Sequence, residues 1–132
     1  ALVSPVMKFN DEAVNLCELL CIYREQAQWH RYAETIYDTC FSRHWQQLNC
    51  KETFINHMVA LLPGSSTAVN QRRQLEALKA FDSSAWAHKI IQPLHILSPS
   101  EDPFSPQVAI ENGIKSWKAS NLSVVTNALP RS

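Results

Sequence analysis

The sequence predicts an α/β fold in which a helical segment is followed by a β-α-β unit. Apolar residues recur at helical spacing through most of residues 7–81. Two short apolar runs, Pro93 to Ser98 and Leu122 to Thr126, then flank one more helical stretch. A strand, a helix and a strand over about thirty residues form one right-handed crossover unit.

The helical segment begins at Asn10, which can cap a helix with Asp11 and Glu12 in its first turn. The spacing of Asn49 and Glu52 fits a capping box at the start of a later helix. Pro63 and Gly64 end that helix. The remaining helical patterns are a long helix over about Trp29–Leu48, a helix over Gln71–Phe81, a short helical turn over Asp82–Ile91 and a helix from Ser105-Pro106 to about Ala119.

The strands are too few for a stable sheet of their own. Ala1 to Val6 is a short apolar stretch that we interpret as a strand end, and Pro93 to Ser98 is largely apolar on both faces, as in a covered parallel sheet. We therefore divide the chain into a strand end at 1–6, a helical segment at 7–81 and a β-α-β part at 82–132. We expect another segment, or a second copy in a homodimer, to complete the sheet.

Composition and charge exclude several classes of function. With 45% hydrophobic and 18% charged residues the chain is globular, and twelve Lys and Arg balance twelve Asp and Glu. This balance predicts neither a nucleic-acid partner nor an anionic membrane partner. Only two glycines argue against a glycine-rich phosphate loop. We find no membrane span of about 18 apolar residues and no signal peptide.

The four cysteines do not have the spacing of a zinc site. Cys17 and Cys21 lie four residues apart in a helical pattern, and Cys40 and Cys50 stand on later helices. Paired C-x-x-C spacing is absent, so no metal or other cofactor is predicted. Two disulfides remain open as an alternative. The pattern favours reduced, mostly buried thiols in a cytoplasmic protein.

The segment Gln92 to Pro106, QPLHILSPSEDPFSP, is the most informative part of the chain. It predicts a buried strand that runs into an acidic turn flanked by prolines. The turn contains Asp102, which is our candidate catalytic carboxylate. The alternative is a turn aspartate that bonds its own backbone, helped by Pro103.

This segment resembles the acid-bearing turn of the α/β-hydrolase family. The family pattern is a proline, an apolar strand, a glycine, two variable residues, an aspartate and a later proline. Here Pro93 precedes the strand, Asp102 takes the aspartate position and Pro106 the later proline. The stretch Gln74 to Ile91 resembles the last cap helix and the short helix after it, and Ala1 to Val6 resembles the strand that follows the nucleophile-bearing helix.

The resemblance implies that the chain is the C-terminal half of such a protein. Residues 7–81 would then be a helical cap-like segment inserted over the active site. Asp102 would be the acid of a Ser-His-Asp triad in an esterase or acyl hydrolase, whose ligand is a small apolar ester or acyl compound.

The chain departs from the family pattern at three points. Pro99 stands at the turn, where the family has glycine. Leu129 and Pro130 occupy the positions where Gly-His is expected, and no histidine follows Asp102 within the 132 residues. A G-x-S-x-G nucleophile elbow is also absent.

Two functional hypotheses therefore remain open. The chain is either a fragment or subunit of a hydrolase that is not catalytic on its own, or a hydrolase-like protein without catalysis that uses its cap surface to bind a partner or ligand. A free-standing helical interaction module is a distant third.

Other side chains that could carry chemistry have simpler interpretations. We interpret His95, on the buried strand, as a satisfied core residue. A basic, aromatic helical face could grip an anion or a strand of nucleic acid, but a solvated helix face with its aromatics inward is favoured. That face comprises Arg24, Trp29, His30, Arg31, Tyr32, Arg43, His44 and Trp45.

Two further sets of side chains, one apolar and one acidic, each have a structural and a functional interpretation. The first could line an apolar pocket, although ordinary core is favoured; it comprises Met7, Trp29, Tyr37, Phe41 and Trp45. The second is expected on polar helix faces without forming an acid-base pair; it comprises Glu12, Glu18, Glu25 and Glu34.

Overall fold

A computed structural model describes residues 2–3, 8–64, 67–91, 93–99, 102–114 and 122–127. The chain divides into two compact units. The sheet unit contains Ala1–Asn10 and Ala80–Ser132, and the helical unit contains Asp11–Lys79. The finer division at residues 6 and 81 stays a prediction.

The helical unit packs its helices around a small apolar core. Ala33, Ile55 and Leu62 are buried at its centre, and Trp29 and Met58 are among the side chains that pack against them. The helices are α1 (Asp11–Glu25), α2 (Trp29–Cys40), α3 (Arg43–Leu48), α4 (Lys51–Leu61) and α5 (Ala68–Ala80), with a 3-10 turn at Leu62–Gly64. None of the described helices is long and apolar enough to cross a membrane.

The single helix predicted over Trp29–Leu48 is wrong, because the chain breaks after Cys40. Phe41 is extended, with φ −115° and ψ 143°. Ser42 then caps α3, since its hydroxyl accepts a hydrogen bond from the Trp45 N–H at 3.3 Å. The Gln46 side chain donates to the Phe41 carbonyl at 2.9 Å, so a helix-end carbonyl keeps a partner.

The capping box predicted from Asn49 and Glu52 is wrong by one residue. Cys50 occupies the N-cap position of α4. The Asn49 side chain instead donates to the Trp45 carbonyl at 2.8 Å. The spacing therefore marked the correct region for the helix start, but the side chain of Asn49 serves the preceding helix.

The described residues of the sheet unit form three parallel strands. They are β1 (Leu2–Val3), β2 (Leu94–Pro99) and β3 (Leu122–Asn127), in the order β1-β2-β3. The helix α6 (Gln107–Ile114) lies between β2 and β3 along the chain, and a 3-10 turn covers Ala87–Lys89. The predicted end of α6 at Ala119 falls outside the described residues. Ile96 of β2 and Ile110 of α6 are buried, 1% and 3% exposed.

The interpretation of His95 as a core residue is wrong. Successive side chains of a strand point to opposite faces. Ile96 takes the buried position, and the neighbouring His95 is exposed. One face of β2 is therefore not covered at His95, unlike the fully covered strand that we expected.

An ion-pair network joins α1 to α5 within the helical unit. Glu18 and Glu25 are seven residues apart and so lie on one face of α1. Arg72 contacts both carboxylates, with its Nε 2.8 Å from Glu25 Oε1, and Lys79 Nζ lies 2.8 Å from Glu18 Oε2. These hydrogen bonds lower the pKa of both glutamates, mainly through Lys79 for Glu18 and through Arg72 for Glu25.

The turn between α1 and α2 holds an alanine in a left-handed conformation. Ala27 has φ 54°. The Gln28 N–H donates to the Tyr23 carbonyl at 2.7 Å, and the Ala27 N–H donates to the Arg24 carbonyl at 3.1 Å. This is the Schellman pattern, in which glycine usually takes the left-handed position.

We expect Ala27→Gly to raise the free energy of unfolding by roughly 0.5–1 kcal/mol, because glycine has no Cβ to clash in this conformation. Ala77→Gly is the matched control on the exposed face of α5 and should lower it by about the same amount. Urea unfolding followed by circular dichroism measures both. A loss of stability in Ala27→Gly would contradict the conformational argument.

Acid should weaken the α1–α5 network. The folded pKa values of Glu18 and Glu25 lie below the ordinary value of 4.5, so the stability from their pairs is present above that pH. It is lost as the pH falls through the folded values. We expect Arg72→Gln to flatten the dependence of the urea midpoint on pH between pH 6 and pH 3.

Arg73→Gln is the control for this measurement, because Arg73 is exposed on the same helix. It should leave the pH dependence of the midpoint unchanged. Equal effects of the two substitutions would show that general charge, and not the network, sets the acid sensitivity.

Candidate functional site

Asp102 lies just beyond the carboxyl end of β2. The strand ends at Pro99, which pairs with Asn127 at the end of β3. Because both strands are parallel, their carboxyl ends meet at the same edge of the sheet. Ligands of open α/β sheets bind at this edge. The turn that carries Asp102 therefore lies at the edge where ligands of open α/β sheets bind.

The Asp102 carboxylate is bonded by the backbone of its own turn. Its Oδ1 accepts from the Phe104 N–H at 2.9 Å and from the Ser105 N–H at 3.2 Å. Pro103 has no N–H to compete for this oxygen. Asp102 is half-buried and Ser105 is 3% exposed. Among the described residues both bonds fall on Oδ1, so the turn orients the carboxylate through this oxygen, and Oδ2 is the oxygen that a further donor would use.

These bonds match the turn-aspartate interpretation, and they are also compatible with a catalytic acid. An acid that orients an imidazole must itself be held in place, and two backbone N–H groups achieve this. A base near Oδ2 would distinguish the catalytic role from the structural one.

In the described part of the sheet unit, both histidines stand before the carboxyl end of β2 along the chain. His88 and His95 are the histidines of this unit, and both are exposed. His95 lies four residues before Pro99 along β2, or about 13 Å at the rise of a strand. The positions expected for Gly-His, Leu129 and Pro130, fall outside the described residues.

A cluster of four aromatic rings lies in the helical unit. Phe41 and Trp45 stack with ring centroids 4.0 Å apart and planes at 18°. Tyr37 and Phe54 complete the cluster, 5.5 Å apart. The Tyr37 ring is buried and the other three are half-buried. We call these four residues the aromatic cluster.

The aromatic cluster contains three of the five residues proposed to line a pocket. Of the other two, Trp29 packs against the Ala33–Ile55–Leu62 core, and Met7 falls outside the described residues. Phe54 was missed, because helical spacing relates residues of one helix and Phe54 comes from α4.

The basic aromatic face is not continuous. Arg31 lies in the first turn of α2, whereas Arg43 begins α3 after that helix has ended. The twelve residues of α2 span about 18 Å. Arg24 is 7% exposed and lies under the Tyr32 ring, with its Cζ 5.8 Å from the ring centroid. Arg24 therefore does not belong to a solvated face.

All four cysteines are thiols, but only Cys21 is buried, which corrects the expectation of mostly buried thiols. Cys17 and Cys40 are half-buried, and Cys50 is exposed. Hydrogen bonds from Thr53 and Glu52 at the start of α4 lower the pKa of the Cys50 thiol. In the described part of the chain, no group of three or more His, Cys, Asp and Glu side chains could hold a metal ion.

The fold is similar to that of a known hydrolase. No protein-family model and no curated protein sequence matches the chain. Among solved structures it is similar to MGS-M2, an alpha/beta hydrolase enzyme from a Medee basin deep-sea metagenome library. The TM-score is 0.78 at 15% sequence identity, and the match covers 95% of this chain and 46% of that chain.

This likeness supports the predicted resemblance at the level of the fold. At 15% identity it establishes the fold and does not carry over the activity. The chain spans less than half the length of the hydrolase that it matches. Its assignment to the C-terminal half, and the role of Asp102, stay predictions.

The hydrogen bonds of the turn can be tested separately from catalysis. We expect Asp102→Ala to lower the free energy of unfolding by about 0.5–2 kcal/mol, because two backbone N–H groups lose their acceptor. Asp102→Asn keeps an oxygen in the same position and should cost less. Urea unfolding measures both; equal values would mean that the turn does not depend on this acceptor.

Proposed function

We propose that the chain is the C-terminal half of an α/β-hydrolase-like protein of the esterase or acyl hydrolase type. In this proposal Asp102 is the acid of the catalytic triad. The nucleophile and the base come from another segment of the protein or from another chain. The observation that carries the proposal is the location of Asp102, beyond the carboxyl end of a parallel strand in a chain with a hydrolase-like fold.

The role of the acid follows from the geometry of its turn. The Phe104 and Ser105 N–H groups hold Oδ1, so Oδ2 can accept from the N–H of an imidazole. Such a bond fixes the tautomer of the base and stabilises the imidazolium that forms when the base takes a proton from a serine. Without a serine nucleophile and an imidazole base, the acid alone does not catalyse acyl transfer. The chain alone is therefore not catalytic in this proposal.

The length of the match supports the proposal that another segment or chain supplies the rest of the hydrolase-like fold. More than half of MGS-M2 has no counterpart in this chain. The described sheet has three strands, and β1 is two residues long. A parallel sheet of this size gains stability from further strands. We propose that a further segment, or a second copy of the chain, supplies them.

The helical unit takes the role of the cap in this proposal. The half-buried rings of the aromatic cluster suit an apolar acyl or ester group, because ligand sites are lined mainly by apolar and aromatic side chains. The thiol state of the cysteines favours a cytoplasmic location.

A non-catalytic binding protein is the second candidate. It is favoured by Leu129 and Pro130, which stand where the family places Gly-His. In this case the hydrolase-like fold is kept, Asp102 stabilises its turn, and the surface of the helical unit binds a partner or a small apolar ligand.

Hydrolysis of p-nitrophenyl esters separates the two candidates. We expect no hydrolysis above background by the 132-residue chain. The full-length protein, read from the coding sequence around this chain, should contain a G-x-S-x-G elbow and hydrolyse the ester. Asp102→Asn should then lower kcat/KM by on the order of a thousand-fold or more, because the base loses the group that orients it.

Asp82→Asn is the matched control. Asp82 also lies in the sheet unit, and its Oδ1 accepts from the Ser84 N–H at 2.9 Å, so it has a turn role of the same kind. Its substitution should leave kcat/KM within about two-fold. An active protein that tolerates Asp102→Asn would contradict the assignment of the acid. A full-length protein without an elbow would favour the binding candidate.

A further inference from the structure

Three thiols lie on the hairpin that α1 and α2 form. Cys17 and Cys21 are one turn apart on α1, and Cys40 is the last residue of α2. Cys17 and Cys40 are half-buried and therefore reach solvent, whereas Cys21 is buried. The proposed function assigns no role to these residues.

Cys17 and Cys40 lie at similar distances from the turn that joins α1 to α2. The two helices pack together and are joined by the short turn at 26–28, and packed helices joined by so short a loop form an antiparallel hairpin. Cys40 lies about three residues, or ~4.5 Å, farther from this turn than Cys17. Helical side chains tilt toward the N-terminus of their own helix. Cys17 therefore tilts away from the turn and Cys40 tilts toward it, which reduces the offset between the two thiols along the helix axes.

Cys17 and Cys21 cannot form the alternative pair within an intact helix. Residues four apart on a helix have Cβ atoms about 5–6 Å apart. A disulfide requires a Cβ–Cβ distance of about 3.5–4.5 Å. Cys40 belongs to a separate helix, so a bond between Cys40 and Cys17 does not require α1 to unwind.

The electrostatics of Cys17 agree with this arrangement. Burial raises the pKa of the Cys17 thiol, and the neighbouring Cys21 and Cys40 raise it further. A charge on Cys40 thus acts on Cys17, although the two residues are far apart in sequence. The raised pKa also means that Cys17 is mostly protonated at neutral pH and reacts slowly.

We propose that Cys17 and Cys40 form a reversible disulfide that joins α1 to α2 when the chain meets a low-molecular-weight disulfide such as oxidised glutathione. One cysteine first forms a mixed disulfide with glutathione and releases one glutathione thiol. The other cysteine then attacks the protein sulfur of that mixed disulfide and releases the second glutathione thiol. The two protein thiols lose two electrons and two protons, and oxidised glutathione gains them.

Peptide mapping of the whole chain tests this proposal. The folded chain is incubated with oxidised glutathione at pH 8 and pH 9.5, remaining thiols are alkylated, and the digest is analysed by mass spectrometry without reduction. We expect a linked pair of peptides containing Cys17 and Cys40, which forms faster at pH 9.5 because more thiolate is present. The oxidised chain should unfold at a temperature higher by roughly 5 °C, and dithiothreitol should reverse this change.

Serine variants provide the controls. Cys21→Ser and Cys50→Ser should keep the linked peptides and the rise in unfolding temperature, whereas Cys17→Ser and Cys40→Ser should lose both. A link that joins a different pair overturns the proposal. Glutathione adducts at Cys17 or Cys40 without a link also overturn it, as does a chain in which only Cys50 reacts. Peptide mapping of the unsubstituted chain identifies which cysteines are linked even if a variant fails to fold.

Discussion

The parallel pairing of β2 with a strand on each side is the constraint on which the candidate site depends. The register from Leu94↔Leu122 to Pro99↔Asn127 aligns the ends of β2 and β3. A shift of one residue would turn Ile96 away from the core and expose it. Because Ile96 is 1% exposed, its burial fixes the register, and the register fixes where the chain turns toward Asp102.

The helical unit depends on a different kind of interaction. Its centre combines a small apolar core with the aromatic cluster, and side-chain charges connect its outer helices. The Tyr37 hydroxyl also donates a hydrogen bond to the Asn49 carbonyl at 2.6 Å, so this buried tyrosine is bonded to the backbone at the end of α3. Side-chain hydrogen bonds at helix ends therefore complete a unit whose apolar core is small.

Much of this architecture could be predicted from local patterns. The apolar periodicity located α1, and the apolar run with its prolines located β2 and the turn at Asp102. The break at Phe41 could not be found in this way, because Ser42 fits a polar helix position as well as a cap. The exposure of His95 depends on which face of β2 the rest of the sheet unit covers, and periodicity does not give that information.

The ion-pair network between α1 and α5 also could not be predicted from the pattern of a single helix. Glu18 and Glu25 were correctly expected on a polar helix face, but their partner Arg72 is 54 residues away from Glu18 along the chain. The aromatic cluster likewise needs the packing of α4 against α2 to bring Phe54 to Tyr37. The residue pattern within one helix does not show which other helices it contacts, because those contacts depend on the tertiary structure.

The prolines around Asp102 limit the backbone freedom of its turn, which affects how readily a hydrogen-bond donor binds the carboxylate. Pro99, Pro103 and Pro106 each restrict the backbone to one range of φ, so the unfolded segment samples fewer conformations than an ordinary loop. Less conformational entropy is therefore lost when this segment folds. In the proposed hydrolase, an imidazole would meet a carboxylate that its own turn already orients, so little further ordering would oppose the association.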